Sequence, residues 1–364
     1  MAETNRIILM ADMNAFFASC HQSVNPSLRN KPIIVGGSMT DKRKGLVIAC
    51  SYEAKNQGIY TTQSVYQARK KCPEAIFVQR DHALYHSISS KIMEFLRLLG
   101  PIEVASIDEA YVDVTERFET GTHPILIARY IQQTLWEKIL IPCSIGIGPN
   151  KIIAKMASEV KKPRGIVQMG VKQFMTYYHP RSLSSLYGCG TATEEKLNRH
   201  GIYTIGQLAQ ADPPFLRSIL GKRGELLSQF ANGISSNAIN EEREKGDKTI
   251  GKETTFNEDI HDSGTIMEIA TNMSQRLAHR LQEKGKKART VSIVYKTERT
   301  GPSYSKSLTL PHSTSDATQI KRAAQALYLE HLNGSALRLF GVRLSNLEEA
   351  EYDQLTFQDF DFKA

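Results

Sequence analysis

The sequence predicts an α+β chain of several domains, and three observations carry the prediction. Its 364 residues exceed what a single core of ordinary size organises. Short strand signals alternate with helix signals to about residue 168, short helical pieces follow to 233, and a second strand-and-helix region fills 249–347. Between these regions "GISSNAINEEREKGDK", Gly233 to Lys248, has almost no apolar content and reads as an interdomain linker over 234–248.

Taken in order, "RIILMADM" is a strand that ends in a carboxylate, Asp12, and a helix starts from Ala15 towards Gln22. "KPIIVGG" and "GLVIACSYEA" are further short strands bounded by glycine and charge. "TTQSVYQARKKCPEA" has the polar start and apolar spacing of a helix that stops before Pro73. "IEVASIDEAYVDVT" alternates apolar and polar residues and reads as two strands broken at Asp108-Glu109. A helix "ILIARYIQQTLWEKI", a strand "PCSIGIG" and a helix "NKIIAKMASEV" follow.

Composition excludes several classes. With 41% hydrophobic and 23% charged residues, no apolar run of about 18 residues and no basic leader in "MAETNR", the expectation is a cytoplasmic protein without a membrane partner. Five scattered cysteines without a C-x-x-C pair argue for reduced, structural thiols. Net charge is +8, but residues 348–364 carry six acidic residues and one lysine, so the remaining body holds 45 basic against 32 acidic residues, a net +13. That excess favours a polyanionic partner through counterion release.

Asp12 at a strand end and Asp108-Glu109 at a strand break offer three carboxylates. Neighbouring strand residues face opposite ways, so Asp108 and Glu109 converge only at a turn or strand end. Clustered carboxylates repel and call for cations, and an all-oxygen ligand set favours Mg²⁺ or Mn²⁺. A pair of such ions would activate a hydroxyl and stabilise a leaving pyrophosphate.

"ADMNAFFASC", "CSYEAKNQGIYTTQSVYQARKKCPEA", "ASIDEAYVDVT" and "CSIGIGPNKIIAKMASEVKKPRGI" together resemble, in that order, the Y-family DNA polymerases of the DinB type. The resemblance extends over nearly the whole chain. It implies a right-hand polymerase with a palm over 1–20 and 77–168, fingers over 21–76 and a helical thumb over 169–233. A C-terminal α+β little finger over 249–347 and an acidic tail over 348–364 complete the implied layout.

On the family pattern Asp12, Asp108 and Glu109 are the catalytic metal ligands for two Mg²⁺ ions, Mn²⁺ being an alternative, and the Met13 carbonyl completes one shell. Asn14 stands where many relatives carry a second Asp, at a position that is not usually a ligand. On the dNTP side, Phe17 matches the steric gate that crowds a ribose 2′-hydroxyl, with Phe16 packing beneath it. Tyr52 and Lys162 match triphosphate contacts, and Lys55 occupies a position that is more often Arg. Lys155 is either a nearby support or a solvated helix face.

For DNA, "LYGCGTATEEKLNRHGIYTIGQLAQA" resembles a helix-hairpin-helix in which Gly188 and Gly190 supply the turn that approaches a phosphate. Residues 276–306 carry nine basic against two acidic residues, and Lys286, Lys287, Arg289, Lys296, Arg299 and Lys306 are candidates to track a DNA backbone. In the tail, Gln354, Leu355 and Phe357 resemble an incomplete form of the Gln-Leu-x-Leu-Phe peptide that binds a sliding clamp. The implied partners are primer-template DNA, dNTP and a clamp, and the implied state is a monomer acting in low-fidelity lesion bypass. Nucleotide cyclases also use palm-like folds with paired carboxylates, and an inert DNA-binding relative is a third possibility. The fingers motif, the hairpin motif and the basic C-terminal region count against the cyclase, and retention of the three carboxylates counts against the inert relative.

Overall fold

The computed structural model describes residues 6–36, 45–242, 248–298 and 300–350. It divides into two compact units, Met1–Glu244 and Lys245–Ala364.

The first unit contains β1 (Ile8–Met13), β2 (Ile33–Gly36), β3 (Val47–Cys50), β4 (Ile76–Val78), β5 (Ile102–Ser106), β6 (Glu109–Asp113), β7 (Cys143–Gly148) and β8 (Ile166–Gln168). Five of these form a sheet in the order β5-β6-β1-β7-β8, and β3-β2-β4 make a small second sheet. Every residue of β1 is buried because both faces of this central strand are covered. Leu9, Ala11 and Met13 join the core beneath the helices His82–Arg97 and Pro124–Ile139, while Ile8 and Met10 pack with Tyr111 and Ala154 on the opposite face. A strand covered on both sides reads as a continuous apolar run, which is why "RIILMADM" lacks alternation.

The helix Lys151–Val160 lies directly on β7. A methyl group at Gly146 would collide with the carbonyl oxygen of Ala154, so glycine there permits the close approach. Asn150 caps this helix through Ile153 N–H and also donates to the Gly233 carbonyl at 2.8 Å. "GLVIACSYEA", expected as one strand, divides after Cys50: Ser51 accepts from Ala54 N–H and starts the helix Tyr52–Asn56. Short helices from Val171 to Ala231 pack around Phe174, Leu183, Leu208 and Leu227.

The segment after Gly233 is held to the large sheet by polar groups. Ile152 N–H donates to Ser235 Oγ at 3.0 Å, and Asn240 N–H donates to Glu103 Oε2 at 2.9 Å. Glu103 is 2% exposed and also accepts from Lys151 Nζ at 2.8 Å. The segment expected as an interdomain linker over 234–248 therefore begins as an anchored strap, held by these hydrogen bonds and by Ile239, which packs against Ile8, Met10 and Tyr111.

The second unit is an antiparallel sheet of β9 (Thr249–Ile260), β10 (Lys286–Lys296), β11 (Tyr304–Thr314) and β12 (Leu337–Glu349), ordered β11-β10-β12-β9. The helices Ser263–Glu283 and Ala317–Leu332 pack on the sheet, with Leu277, Tyr328, Ile293 and Phe340 in the shared core. Glu348 and Glu349, assigned to the tail from their acidity, are the last residues of β12, in register with Lys287 and Lys286. The five cysteines are buried free thiols. Among the described residues no helix is long and apolar enough to cross a membrane.

Candidate active site

Strand register brings the first two carboxylates together. Asp12 on β1 lies opposite Glu109 on β6, so the two side chains share a face of the sheet with Ile8 and Met10. The strand break falls at Ile107 and Asp108 rather than between Asp108 and Glu109, because Ser106 and Glu109 pair across a two-residue turn. Asp108 sits in that turn, where its carbonyl accepts from Met13 N–H at 2.9 Å and its Oδ1 from Ser106 Oγ at 2.6 Å. Its charge also reaches Cys20, whose thiol is pushed up to about 12 by burial first and then by Asp108.

Over Asp12 and Glu109 lie two lysines. Lys155 Nζ is 2.7 Å from Asp12 Oδ2, 3.0 Å from Glu109 Oε1 and 2.7 Å from Glu159 Oε1. Lys162 Nζ is 2.9 Å from both Asp12 Oδ2 and Glu159 Oε1. Lys155 is only 6% exposed, which overturns its reading as a solvated helix face. Burial acts to raise the Asp12 pKa, but the two ammonium groups outweigh it and hold this carboxyl below the usual range. Glu109 moves the other way. Burial raises it, and Lys155 alone does not offset that burial together with the charges of Asp12 and Asp108. Burial disfavours both charged lysines, yet Asp12 and its acidic neighbours keep Lys155 and Lys162 above the ordinary lysine value.

Among the described residues, no three His, Cys, Asp or Glu side chains close into a metal-holding group, and ammonium groups fill the space between the carboxylates. The donor chemistry still fits a divalent cation: two in-register carboxylates and a third at the adjoining turn, all oxygen, in a place that already gathers positive charge. Asn14 is committed elsewhere. Its side chain exchanges hydrogen bonds with Ser144 and accepts from Arg164 N–H at 2.8 Å, tying β1 to β7 and to the loop before β8.

Ala15, at φ 47°, turns the chain sharply from β1 into the helix Phe16–Val24. Phe16 is 3% exposed and belongs to the core, which leaves Phe17 as the ring that reaches the surface of the site. Phe17 stacks on Tyr85 with centroids 4.3 Å apart and planes 17° from parallel. Tyr85 is fully buried, and its hydroxyl shares a 2.9 Å hydrogen bond with His21 Nε2. Tyr52 lies within electrostatic reach of Lys162, Asp12 and Glu159, with burial the first cause of its raised pKa. Lys55 Nζ sits 4.5 Å from the centre of the Tyr52 ring.

Beside Lys155 opens a cavity of about 740 Å³ whose wall also includes Glu159, Arg181, Gly188, Gly190 and Arg223. Of the two turn glycines, Gly188 has φ 87° and makes the bend. Gly190 has an ordinary backbone and caps the helix Thr191–Asn198. Arg223 donates to the Gly188 carbonyl.

In the second unit the basic candidates separate. Lys286 Nζ lies 3.6 Å from Glu349 Oε1 and its side chain is 12% exposed, so this lysine is engaged within the sheet. Lys306 is in register with Ile293, which belongs to the core. Lys296 follows the alternate set that includes Ser292, whose hydroxyl bonds Ser307. The two lysines thus lie on opposite faces. Arg289 is exposed and Lys287 half-buried. Arg299 and the peptide residues Gln354, Leu355 and Phe357 lie outside the described residues.

Tyr85, Glu159, Arg181 and Arg223 did not emerge from the sequence. Tyr85 looks like a core residue of an amphipathic helix, and the others look like solvated charges. The one available signal was spacing, because Lys155 and Glu159 stand at i and i+4 on one helical face and Lys162 follows just past the end of that helix.

Comparison with known proteins places the chain in a family. Residues 11–159 match the impB/mucB/samB family and residues 247–357 match the impB/mucB/samB family C-terminal domain. DNA polymerase IV 1 of Bacillus subtilis is 36% identical over 365 residues, covering 99% of this chain and 87% of the relative. DNA polymerase IV of Listeria monocytogenes serovar 1/2a is 36% identical over 363 residues, covering 98% of this chain and 99% of the relative. Among solved structures, the Y-family DNA polymerase chimera Dbh-Dpo4(243-245)-Dbh superposes with a TM-score of 0.80 at 25% identity, over 93% of this chain and 98% of that one. With both of its regions matched in order and its relatives aligned along nearly its whole length, the chain belongs to the Y-family DNA polymerases, in the DNA polymerase IV branch.

Proposed function

We propose that the protein is a template-directed, low-fidelity DNA polymerase that extends a primer 3′-hydroxyl with dNTPs during translesion synthesis, with Asp12, Asp108 and Glu109 as its catalytic carboxylates. Its family supports dependence on a divalent metal and binding of primer-template DNA and dNTP. The observation that carries the residue assignment is the register of Asp12 against Glu109, with Asp108 at the turn and lysines gathered above them.

The finer reading assigns two Mg²⁺ ions to the three carboxylates and the Met13 carbonyl, with Mn²⁺ as a substitute. When bound, they supply activation of the attacking hydroxyl and stabilisation of the pyrophosphate. The chain's own groups position and neutralise: Tyr52, Lys55 and Lys162 for the triphosphate, Phe17 for the sugar, and the large cavity beside Gly188 for the primer backbone. The proposed boundaries are a palm over 1–20 and 77–168, fingers over 21–76, a thumb over 169–233 and a little finger from 249 to the end of β12 at Glu349. Lys287, Arg289 and Lys296 are the little-finger residues we assign to DNA. The protein acts as a cytoplasmic monomer, recruited to a sliding clamp by Gln354, Leu355 and Phe357, so removing residues 351–364 removes clamp-stimulated synthesis only.

Primer extension on an undamaged template with Mg²⁺ tests the central reading. Distributive extension that disappears in Asp12→Asn is expected, and full-length protein that extends no primer at any dNTP concentration would remove it.

A further inference from the structure

The ammonium of Lys155 has three donors, and all three are used: Asp12 and Glu109 on neighbouring strands, and Glu159 one turn along its own helix. A solvent-facing lysine does not reach such a position by chance. It is 6% exposed, on a helix brought close to the sheet at Gly146. Lys162 repeats the pattern with less burial, joining Asp12 to the same oxygen of Glu159. Glu159 thus differs from the other two acids: it is outside the proposed ligand set, its side chain is 44% exposed, and it touches both lysines.

We propose that Lys155 is a resident counter-cation that a divalent metal ion must displace from Asp12 and Glu109, and that Glu159 is the positioning residue that retains the displaced ammonium. This rests on Asp12 and Glu109 being metal ligands. Without metal, the buried carboxylate of Asp12 and the half-buried one of Glu109, facing each other across β1 and β6, would repel, and Lys155 removes that repulsion. With Asp12 and Glu109 given over to a metal ion, Lys155 would lose two of its three hydrogen bonds and keep the one to Glu159 on the same helix. The same exchange leaves Lys162 with Glu159 and turns both ammonium groups towards an incoming triphosphate. Metal and nucleotide then bind with positive cooperativity, because each removes a competitor of the other.

The test is Mn²⁺ binding to the full-length protein at pH 8 without DNA or nucleotide, by calorimetry and by the electron paramagnetic resonance signal of free Mn²⁺. Lys155→Met should bind about tenfold tighter, about 1.4 kcal/mol, because the competing charge is gone. Glu159→Gln should bind several-fold more weakly, because the displaced ammonium loses its remaining partner. Unchanged or weaker binding by Lys155→Met, with Asp12→Asn abolishing binding, would overturn the lysine's role while leaving the ligand assignment standing. Binding that survives in both Asp12→Asn and Glu109→Gln would instead overturn the ligand assignment. If Lys155→Met does not fold, Glu159→Gln decides through its half-exposed site, and unaltered affinity there overturns the proposal.

Discussion

Replacing Phe17 with alanine tests whether this ring is the sugar gate and how much selectivity its surroundings allow. To admit a 2′-hydroxyl the ring would have to leave its place on Tyr85, 4.3 Å away and nearly parallel. Leaving forfeits about 0.5–1.5 kcal/mol of stacking, and a side chain pushed off its rotamer costs a further ~0.5–1.5 kcal/mol. The gate is therefore worth about 1–3 kcal/mol, or roughly 5- to 150-fold in the ratio of dNTP to rNTP incorporation. Phe17→Ala should lose most of that ratio. Tyr85→Ala should lose a large part of it too, although the gate ring remains, because the ring then has room to retreat. Removing the Phe17 ring also deletes about 1–2 kcal/mol of burial besides the stacking, which lowers Tm of the N-terminal unit by roughly 3–14 °C. Single-nucleotide incorporation with each triphosphate, alongside thermal unfolding, gives both readouts. An unchanged incorporation ratio in Phe17→Ala places the gate elsewhere, and an unchanged Tm contradicts the packing from which the magnitude was derived.

Asp108→Ala and Glu109→Ala should each abolish nucleotide addition while primer-template affinity stays within a few-fold; near-wild-type extension by either would contradict the carboxylate assignment. Lys55→Arg should lower KM for dNTP several-fold, since a guanidinium can keep the contact over Tyr52 and offer a phosphate two donors. A higher KM would show a pocket fitted to the ammonium. Burial holds the His21 pKa below its usual 6.5, against the opposing pull of Asp81 and the Gln79 backbone. The unfolded chain therefore takes up this proton first, and stability present above pH 6.5 is lost as pH falls through the depressed folded value. His21→Gln should flatten denaturant midpoints measured between about pH 7.5 and 5.5; an unaltered slope would assign the dependence to another group.

The three carboxylates stood out because each is flanked by apolar residues at a strand end, but singly each reads as an ordinary strand-end charge, and only the family motifs grouped them as candidates. The right-hand layout was legible through four motifs in order. What escaped the sequence depended on register or on polar capture. Lys155 looks like any lysine on an amphipathic helix until β1 and β6 are paired and Gly146 brings the helix down upon them. The strap after Gly233 reads as a linker because it has almost no apolar content, and hydrogen bonds to Glu103 and Ile152 are invisible to hydropathy. The pairing of Lys286 was hidden because its partner, Glu349, lies 63 positions away in sequence and meets it only across the β10–β12 ladder. The tail appeared to start early for the same reason.

The left-handed turn at Ala15 has an evolutionary side. It stands between Asp12 and Phe17, so one backbone bend fixes both the carboxylate we assign to the reaction and the ring we assign as the sugar gate. Alanine in this conformation carries about 1–2 kcal/mol of strain that glycine would relieve, so the neighbouring sequence tolerates little drift. Inherited changes at this bend would alter the speed of synthesis and the choice of sugar together, as a single trait.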